Sequence, residues 1–187
     1  MPDYRRAFVP GGTFFFTLCV HKHRRIFANE TNVQLLRNAV HTVKTEWPFE
    51  IVGAVVLPDH LHWIWALPPN DSNYSRRIGR IKAIFTRQLG EHPDESTNSS
   101  RVRHRESEVW QRRFWEHAIR DQPDLENHLN YIHYNPVRHG WAKCPHQWKA
   151  SSFRHWVAKN GYESNWCCAC DNPKVKLPYP ATMVVGE

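Results

Sequence analysis

Two strand-like segments separated by a two-residue turn constrain the fold of this chain more than any other feature. Residues 51–57 are a continuous apolar run, residues 60–67 are rich in Leu, Trp and Ile, and only Pro58 and Asp59 lie between them. Pro-Asp is a typical turn sequence. Because so short a connection joins strands that run in opposite directions, the two segments are predicted to form an antiparallel hairpin within a sheet.

The flanking segments extend this hairpin into the order β-α-β-β-α-β-α. Strands are indicated where aromatic and β-branched residues concentrate, and helices where apolar residues recur every three or four positions. In chain order the predicted elements are a strand at residues 14–20, a helix at 30–47, the hairpin, a helix at 72–89, a strand at 109–119 and a helix at 122–135. The expected fold class is therefore α+β and ferredoxin-like (split β-α-β), an antiparallel sheet with helices on one face and a further helix after the last strand.

The composition fits one domain that binds a polyanion. The chain has 187 residues, of which 41% are hydrophobic, enough for one core. Lys and Arg outnumber Asp and Glu by 25 to 18, a formal net charge of +7, and a basic surface favours nucleic acid. The apolar run near the N-terminus is too short to span a membrane, and basic residues follow it at once. Because five cysteines do not form an even disulfide framework, a cytoplasmic protein without a membrane partner is expected.

His60 and His62 are the strongest candidates for a metal site. Residues two apart on a strand point to one face of the sheet, so both imidazoles can bind one metal while Leu61 points to the other face. With 13 histidines in the chain such a pair is also expected by chance, and His21 and His23 form a second example. The second pair lies in a basic stretch at a strand end, where a solvated or phosphate-facing cluster is the simpler interpretation.

A second candidate group lies on the last predicted helix. Tyr131 and Asn135 are four residues apart and share a helical face at the margin of the apolar stripe, whereas Tyr134 is predicted to point toward solvent. Because Pro136 disfavours further helix, Asn135 is expected in the last turn or at the C-cap. The alternative interpretation is that Tyr131 only packs and Asn135 only ends the helix.

The two groups together are typical of metal-assisted attack by a tyrosine on a phosphodiester. Two imidazoles and an amide oxygen leave positions on a divalent metal open for phosphate oxygens. A phenol has a pKa of about 10, so it needs activation near the metal or by a base. A covalent phosphotyrosine would keep the energy of the cleaved bond, so that a free 3′-OH can reverse the reaction.

Three ordered motifs resemble the REP-associated tyrosine transposases, a branch of the single-tyrosine transposases with a histidine-hydrophobic-histidine motif. They are residues 56–63 (Val-Leu-Pro-Asp-His-Leu-His-Trp), residues 110–116 followed by residues 131–138, and residues 148–153. Since the similarity runs from about residue 5 to about residue 156, we expect a transposase domain at residues 1–158. Residues 159–187 are then a C-terminal tail of unknown role.

The resemblance implies roles for individual residues. His60, His62 and Asn135 correspond to the ligands of a divalent metal, magnesium or manganese, and Tyr131 corresponds to the nucleophile. Insertion-sequence relatives usually carry Gln where this chain has Asn135, whereas Asn is usual in the REP-associated branch. The implied enzyme is a transposase, a single-strand endonuclease and strand transferase that acts beside hairpins of palindromic repeats. Its oligomeric state, monomer or dimer, stays open.

Basic and aromatic residues outside these motifs are candidates for DNA contacts. Cationic groups suit phosphates, and exposed aromatic rings suit unpaired bases. The candidates are Arg5, Arg6, Arg76, Arg77, Arg80, Lys82, Arg112, Arg113 and Trp115. For any one of the basic residues, an ordinary solvated charge is an equally good interpretation.

Other functions stay open from the sequence. A non-catalytic nucleic-acid-binding module of the same fold would stack bases on sheet aromatics without a metal, and a domesticated transposase would bind repeats without cutting them. A zinc hydrolase at His60 and His62 lacks an obvious general-base carboxylate, because Asp59 is expected to point away. These alternatives differ from the transposase in forming no covalent product with DNA.

The tail carries a Cys-x-x-Cys pair, Cys167 and Cys170. A structural zinc site would need two further ligands, such as Cys168 or His155. Incidental cysteines are the simpler interpretation of this pattern.

Overall fold

The computed structural model describes residues 7–90 and 109–170. Its regular elements are β1 (Thr13–Cys19), α1 (Glu30–Glu46), β2 (Glu50–Val56), β3 (His60–Ala66), α2 (Tyr74–Leu89), β4 (Trp115–Ala118), α3 (Gln122–Arg138) and α4 (Phe153–Ala158). Over these ranges the strands form a four-stranded antiparallel sheet in the order β2-β3-β1-β4, which confirms the predicted α+β fold. None of the described helices combines the length and the apolar character needed to cross a membrane.

The alternation of side chains gives the two faces of the sheet different coverings. On one face Phe16, Leu61 and Trp63 belong to the larger core, which α1 and α2 complete. On the other face Phe15 and Ile64 pack in a second core with apolar residues of α3. Even-numbered residues of β3 therefore face α3, and this places the histidine pair between the sheet and that helix.

α3 begins at a side-chain cap and continues through a proline. The Asp121 carboxylate accepts a hydrogen bond of 2.9 Å from the backbone N–H of Asp124, which is a common helix start. The prediction that the helix ends before Pro136 was wrong, because α3 runs on to Arg138. Proline removes one backbone donor, but Pro136 is buried, and its packing offsets that loss. Because α3 extends to Arg138, this residue lies on the same helical face as Tyr131.

β4 is shorter than the strand predicted at residues 109–119. Only Trp115–Ala118 pairs along β1, and Trp110 makes an isolated bridge to Val20. Nζ of Lys82, a residue of α2, lies 5.5 Å from the ring centroid of Trp110 and 5.8 Å from that of Phe114. Two aromatic residues of this segment therefore pack near a lysine of α2, and the segment does not form a continuous ladder with β1.

The segment after α3 covers the open edge of β2. The indole N–H groups of Trp148 and Trp156 donate to the backbone carbonyls of Val56 (2.9 Å) and Val52 (2.8 Å). The hydroxyl of Ser152 accepts from the backbone N–H of Ala54 at 2.9 Å. An uncovered edge strand exposes unpaired backbone groups that invite aggregation, so this segment completes the domain.

The described part of the tail also packs on α3. The hydroxyl of Tyr162 donates to the side-chain carbonyl of Asn130 at 2.7 Å, and the ring of Tyr162 lies 5.1 Å from that of His133. The prediction that Tyr134 points to solvent was wrong, since Tyr134 is only 7% exposed. Helical periodicity identified the stripe that faces the sheet, but it does not reveal a tail that covers the neighbouring face.

Candidate active site

β3 places His60 and His62 together on the sheet face that α3 covers. Their ring centroids are 5.0 Å apart, and both side chains are buried. Nδ1 of His60 donates to the Asp59 carboxylate at 2.8 Å, and Nδ1 of His62 lies 2.9 Å from the Thr17 hydroxyl. Nε2 is therefore the atom that each ring would present to a metal, with the other nitrogen held by a hydrogen bond as is usual for metal-binding histidines.

The turn residue Asp59 orients the first of these histidines. The expectation that Asp59 points away was wrong, because its carboxylate bonds His60 at 2.8 Å and His23 at 3.2 Å. Burial raises the pKa of Asp59, but the hydrogen bonds from the two histidines outweigh burial and lower that pKa overall. Burial also lowers the pKa of His60 in spite of Asp59, so the ring is neutral near neutral pH, the form that binds metals.

α3 brings Tyr131 against this histidine pair. The ring centroid of Tyr131 lies 5.1 Å from that of His62, with an angle of 75° between the ring planes, and Tyr131 is 1% exposed. Asn135 follows one turn later on the same helical face and is fully buried. The structure thus gathers the residues that the motifs single out, while their roles as ligands and nucleophile stay predictions.

Arg138 is a site residue that sequence reasoning missed. Its Nη1 donates to the hydroxyl of Tyr131 at 3.0 Å, and its Cζ lies 5.5 Å from the Tyr131 ring centroid. Burial lowers the pKa values of His60 and His62, and the nearby positive charge of Arg138 lowers them further. The sequence signal for Arg138 is its spacing of seven residues from Tyr131, about two helical turns, but a helix predicted to end near Pro136 does not extend to Arg138.

A second cluster of possible metal ligands lies where β4 meets α3. His117, Asp124 and His128 each bring one ligand atom within 4.8 Å of the others. Nε2 of His117 donates to the Asp124 carboxylate at 2.8 Å, and Nδ1 of His128 donates to the Asp124 backbone carbonyl at 2.8 Å. The ring of Phe15 lies between this cluster and the first site, 4.7 Å from His128 and 5.4 Å from His62. This cluster is a possible metal-binding group that the motifs did not predict.

Asp124 makes the start of α3 sensitive to pH. Burial raises the pKa of Asp124, but hydrogen bonds from His117 and from the backbone and guanidinium of Arg120 outweigh burial and lower the pKa from 3.8 to about 2. A carboxylate with a lower pKa in the folded chain stabilises it fully above the unfolded pKa, and this contribution is lost as the pH falls through the folded value.

We therefore expect Asp124→Asn to lower the free energy of unfolding at pH 7 by about 1.5–3 kcal/mol, as for a hydrogen bond to a charged group. The difference from the natural protein should shrink as the pH falls from about 4 toward about 2. Urea denaturation across this range measures it, with Glu126→Gln, an exposed carboxylate of the same helix, as the control. A difference that stays constant with pH would contradict the prediction.

The candidate DNA-binding residues of α2 lie across the sheet from α3. The guanidinium of Arg76 stacks 4.2 Å from the Trp47 ring centroid, and that of Arg80 pairs with the Glu46 carboxylate at 3.0 Å. Arg76 and Arg80 remain accessible, but on the face opposite to the histidine pair. Arg5 and Arg6 lie outside the described residues.

The burial of Arg77 contradicts the prediction that this residue contacts DNA. Arg77 is 3% exposed, and its guanidinium donates to the Asp71 carboxylate at 2.7 Å and to the backbone carbonyls of Trp47 and Pro48 at 3.1 and 3.0 Å. Since these internal acceptors occupy the guanidinium, Arg77 joins α2 to the neighbouring loops instead of facing a phosphate. The position of Arg77 in a helical pattern does not reveal that two loops cover its side chain.

The remaining candidates lie near β4. Lys82 donates to the backbone carbonyl of Gln111 at 3.1 Å and so supports the segment with Arg112 and Arg113, both of which are exposed. Trp115 pairs with Thr17 in the sheet, and Thr17 pairs with His62 on its other side. Residues paired in this way share one face of the sheet, so the half-buried ring of Trp115 lies on the same face as the histidine pair.

The fold and the site together define a class of proteins. An antiparallel sheet carries a His-x-His pair on a central strand, and a helix across that face carries a buried tyrosine with an Asn one turn later, as in the single-tyrosine transposases. The family described as "Transposase IS200 like" matches residues 12–135, and the chain belongs to this family.

Within the family the chain is similar to REP-associated tyrosine transposases. The protein of that name from Escherichia coli K12 is 42% identical over 166 residues, which cover 89% of this chain and 91% of the relative. A Haemophilus influenzae protein provisionally given the same name is 42% identical over 179 residues, covering 95% and 98%. A solved structure of a REP-associated tyrosine transposase bound to a REP hairpin matches with a TM-score of 0.76 and 40% identity, over 89% of this chain and 91% of that one.

Proposed function

We propose that this protein is a metal-dependent single-strand DNA endonuclease and strand transferase that acts at hairpins of palindromic repeats. The observation that carries the proposal is the contact of Tyr131 with His62, 5.1 Å between ring centroids, on the face where β3 also places His60. Membership of the IS200-like transposase family supports the type of reaction. The related structure bound to a REP hairpin supports the class of substrate.

The residues at this site suit magnesium or manganese. Nε2 of His60, Nε2 of His62 and the amide Oδ1 of Asn135 are all buried. Imidazole nitrogens favour transition metals and an amide oxygen suits manganese or magnesium, so of these two ions manganese fits the mixed set better. When bound, the ion would neutralise the scissile phosphate and orient it. Asn135 lies one turn after Tyr131 on α3, so this helix positions the nucleophile and the ligand together.

The side chains of α3 perform the bond exchange in this mechanism. The Tyr131 oxygen attacks phosphorus, a Tyr–O–P bond forms, and the P–O bond to the neighbouring deoxyribose breaks. The phenolic proton leaves to solvent or to the departing oxygen, and the freed hydroxyl can later reverse the step. Arg138, bonded to the Tyr131 hydroxyl at 3.0 Å, holds the nucleophile and places a positive charge where negative charge develops.

We assign DNA contacts to the surface around β4. Arg112 and Arg113 are exposed there, and Trp115 offers a ring on the face of the histidine pair. Arginines at this position suit the phosphates of a strand that enters the site, and the indole suits an unpaired base. Arg76 and Arg80, on the opposite face, would contact only DNA that extends around the sheet.

A cleavage assay tests the proposal. Labelled single-stranded DNA with a palindromic hairpin and flanking bases is incubated with the protein in manganese or in EDTA, using several hairpin sequences. We expect a covalent protein–DNA adduct on denaturing gels only with the metal. Salt-sensitive binding of every hairpin without an adduct would overturn the proposal and favour a non-catalytic repeat-binding protein.

Arg138 allows a further test of the mechanism. We expect Arg138→Ala to slow adduct formation roughly 100-fold, as for the loss of one stabilising donor, with little change in hairpin affinity. Arg138→Lys keeps the charge but not the planar fork, so it should recover part of the rate. Single-turnover gels and fluorescence anisotropy separate the two quantities. Equal losses of rate and affinity in both variants would show that Arg138 acts only in binding or folding.

A further inference from the structure

The segment after α3 gathers cysteines that the proposed function does not use. The sulfur atoms of Cys144 and Cys168 are in direct contact, as the two sulfurs of a disulfide would be. The sulfur of Cys170 lies 3.1 Å from that of Cys144, and Nδ1 of His146 lies 3.6 Å from the sulfur of Cys168. Ligand atoms of Cys144, His146 and Cys168 lie within 4.8 Å of one another, and Cys170 adjoins this group through Cys144. These four residues, from two short segments, are called the tail cluster.

We propose that the tail cluster is a structural zinc site with three thiolate ligands and one imidazole ligand. Zinc in structural sites prefers four ligands of these types in a tetrahedron. A disulfide uses two of the four groups and gives no reason for the convergence of Cys170 and His146. Sulfurs bound to one zinc ion are about 3.8 Å apart, so zinc binding requires the side chains of the reduced cysteines and His146 to rotate into a tetrahedron.

His146 has a second neighbour that bears on this proposal. Its Nδ1 also lies 3.1 Å from the backbone carbonyl of Ser164, and a hydrogen bond to a carbonyl requires a proton on that nitrogen. The nitrogen that binds zinc cannot carry this proton, so in the zinc-bound protein the ring turns from Ser164 toward the sulfurs and carries its proton on Nε2.

Cys167 lies next to this cluster in sequence but does not belong to it. Burial raises the pKa of Tyr134, and an electrostatic interaction with Cys167 raises it further, so Cys167 interacts with a residue of α3. Cys170 approaches Cys144 instead of forming the Cys-x-x-Cys pair with Cys167. The two further ligands, Cys144 and His146, lie in the loop after α3. Cys144 precedes Cys170 by 26 residues in the chain.

The proposed zinc would fasten the tail to the helix that carries the candidate nucleophile. Ala169 donates its backbone N–H to the carbonyl of Lys143 at 2.8 Å, directly beside the cluster. Tyr162, earlier in the same tail, donates to the side chain of Asn130 on α3 at 2.7 Å. The site thus stabilises the outer side of α3 and needs no part in DNA cleavage.

Metal analysis of the full-length protein tests the proposal independently of DNA cleavage. The protein is purified under reducing conditions, and bound zinc is measured by mass spectrometry and by release with a thiol-blocking reagent. We expect one zinc per chain, its loss in Cys144→Ser and Cys168→Ser, and its retention in Cys167→Ser. Retention in the double variant His60→Ala/His62→Ala separates this zinc from metal at the candidate active site.

Cobalt and a second pair of variants keep the test decisive if Cys144→Ser fails to fold. Cobalt in the cluster should give a sulfur-to-metal charge-transfer band that Cys170→Ser and His146→Ala weaken, with a zinc affinity at least tenfold lower in each. A reduced protein that binds no zinc and shows no such band would overturn the proposal. An intact mass lower by two hydrogens, with Cys144 and Cys168 linked, would then show a disulfide.

Discussion

Tyr131→Phe is expected to abolish the covalent adduct with a hairpin substrate, lowering its rate of formation by roughly 10⁴-fold or more, as for the loss of a nucleophile. The substitution removes only the hydroxyl that attacks phosphorus. The ring keeps its contact with His62 at 5.1 Å, so the fold and the hairpin affinity should change little. Denaturing gels under single-turnover conditions measure the rate, and fluorescence anisotropy measures the affinity.

Tyr134→Phe is the matched control for this variant. Tyr134 lies on the same helix and is also buried, but it lies near Cys167 of the tail. We expect its adduct to form at the rate of the natural protein. An adduct that persists in Tyr131→Phe and disappears in Tyr134→Phe would show that the other tyrosine attacks. Adducts in both variants would exclude either residue as the sole nucleophile.

His62→Ala is expected to weaken manganese binding by more than about 100-fold, beyond the effect of losing a supporting contact, and to remove the metal-dependent adduct. The reason is that His62 is fully buried between the sheet and α3, with its ring against that of Tyr131, where no water-exposed group replaces it. Isothermal titration calorimetry with manganese measures the affinity. His155→Ala, an exposed histidine on α4, is the control and should bind as the natural protein does.

Thr17→Val provides a variant that leaves both histidines in place. It removes the hydroxyl 2.9 Å from Nδ1 of His62 but nearly keeps the side-chain shape. We expect metal affinity to fall by about 10–100-fold, as when a hydrogen bond to a ligand histidine is lost, with normal thermal stability within a few degrees. Unchanged affinity in both Thr17→Val and His62→Ala would show that the metal binds elsewhere, for example at His117, Asp124 and His128.

Local sequence patterns were sufficient to predict the framework of the site. The two-residue turn at Pro58 and Asp59 required a hairpin, and alternation along β3 placed His60 and His62 on one face. Helical spacing placed Tyr131 and Asn135 one turn apart. Each of these inferences depends on residues within a few positions of one another, where backbone geometry sets the direction of a side chain.

Only the tertiary structure decided which of these groups meet and what surrounds them. α3 continues through Pro136 because packing outweighs the loss of one backbone donor, and this brings Arg138 to Tyr131. Arg77 is buried because two loops close over α2, and Cys144 meets Cys170 because the tail returns to the end of α3. The physical reason is the same in each case. Sequence periodicity records which face a side chain takes, whereas its neighbours depend on contacts between segments far apart in the chain.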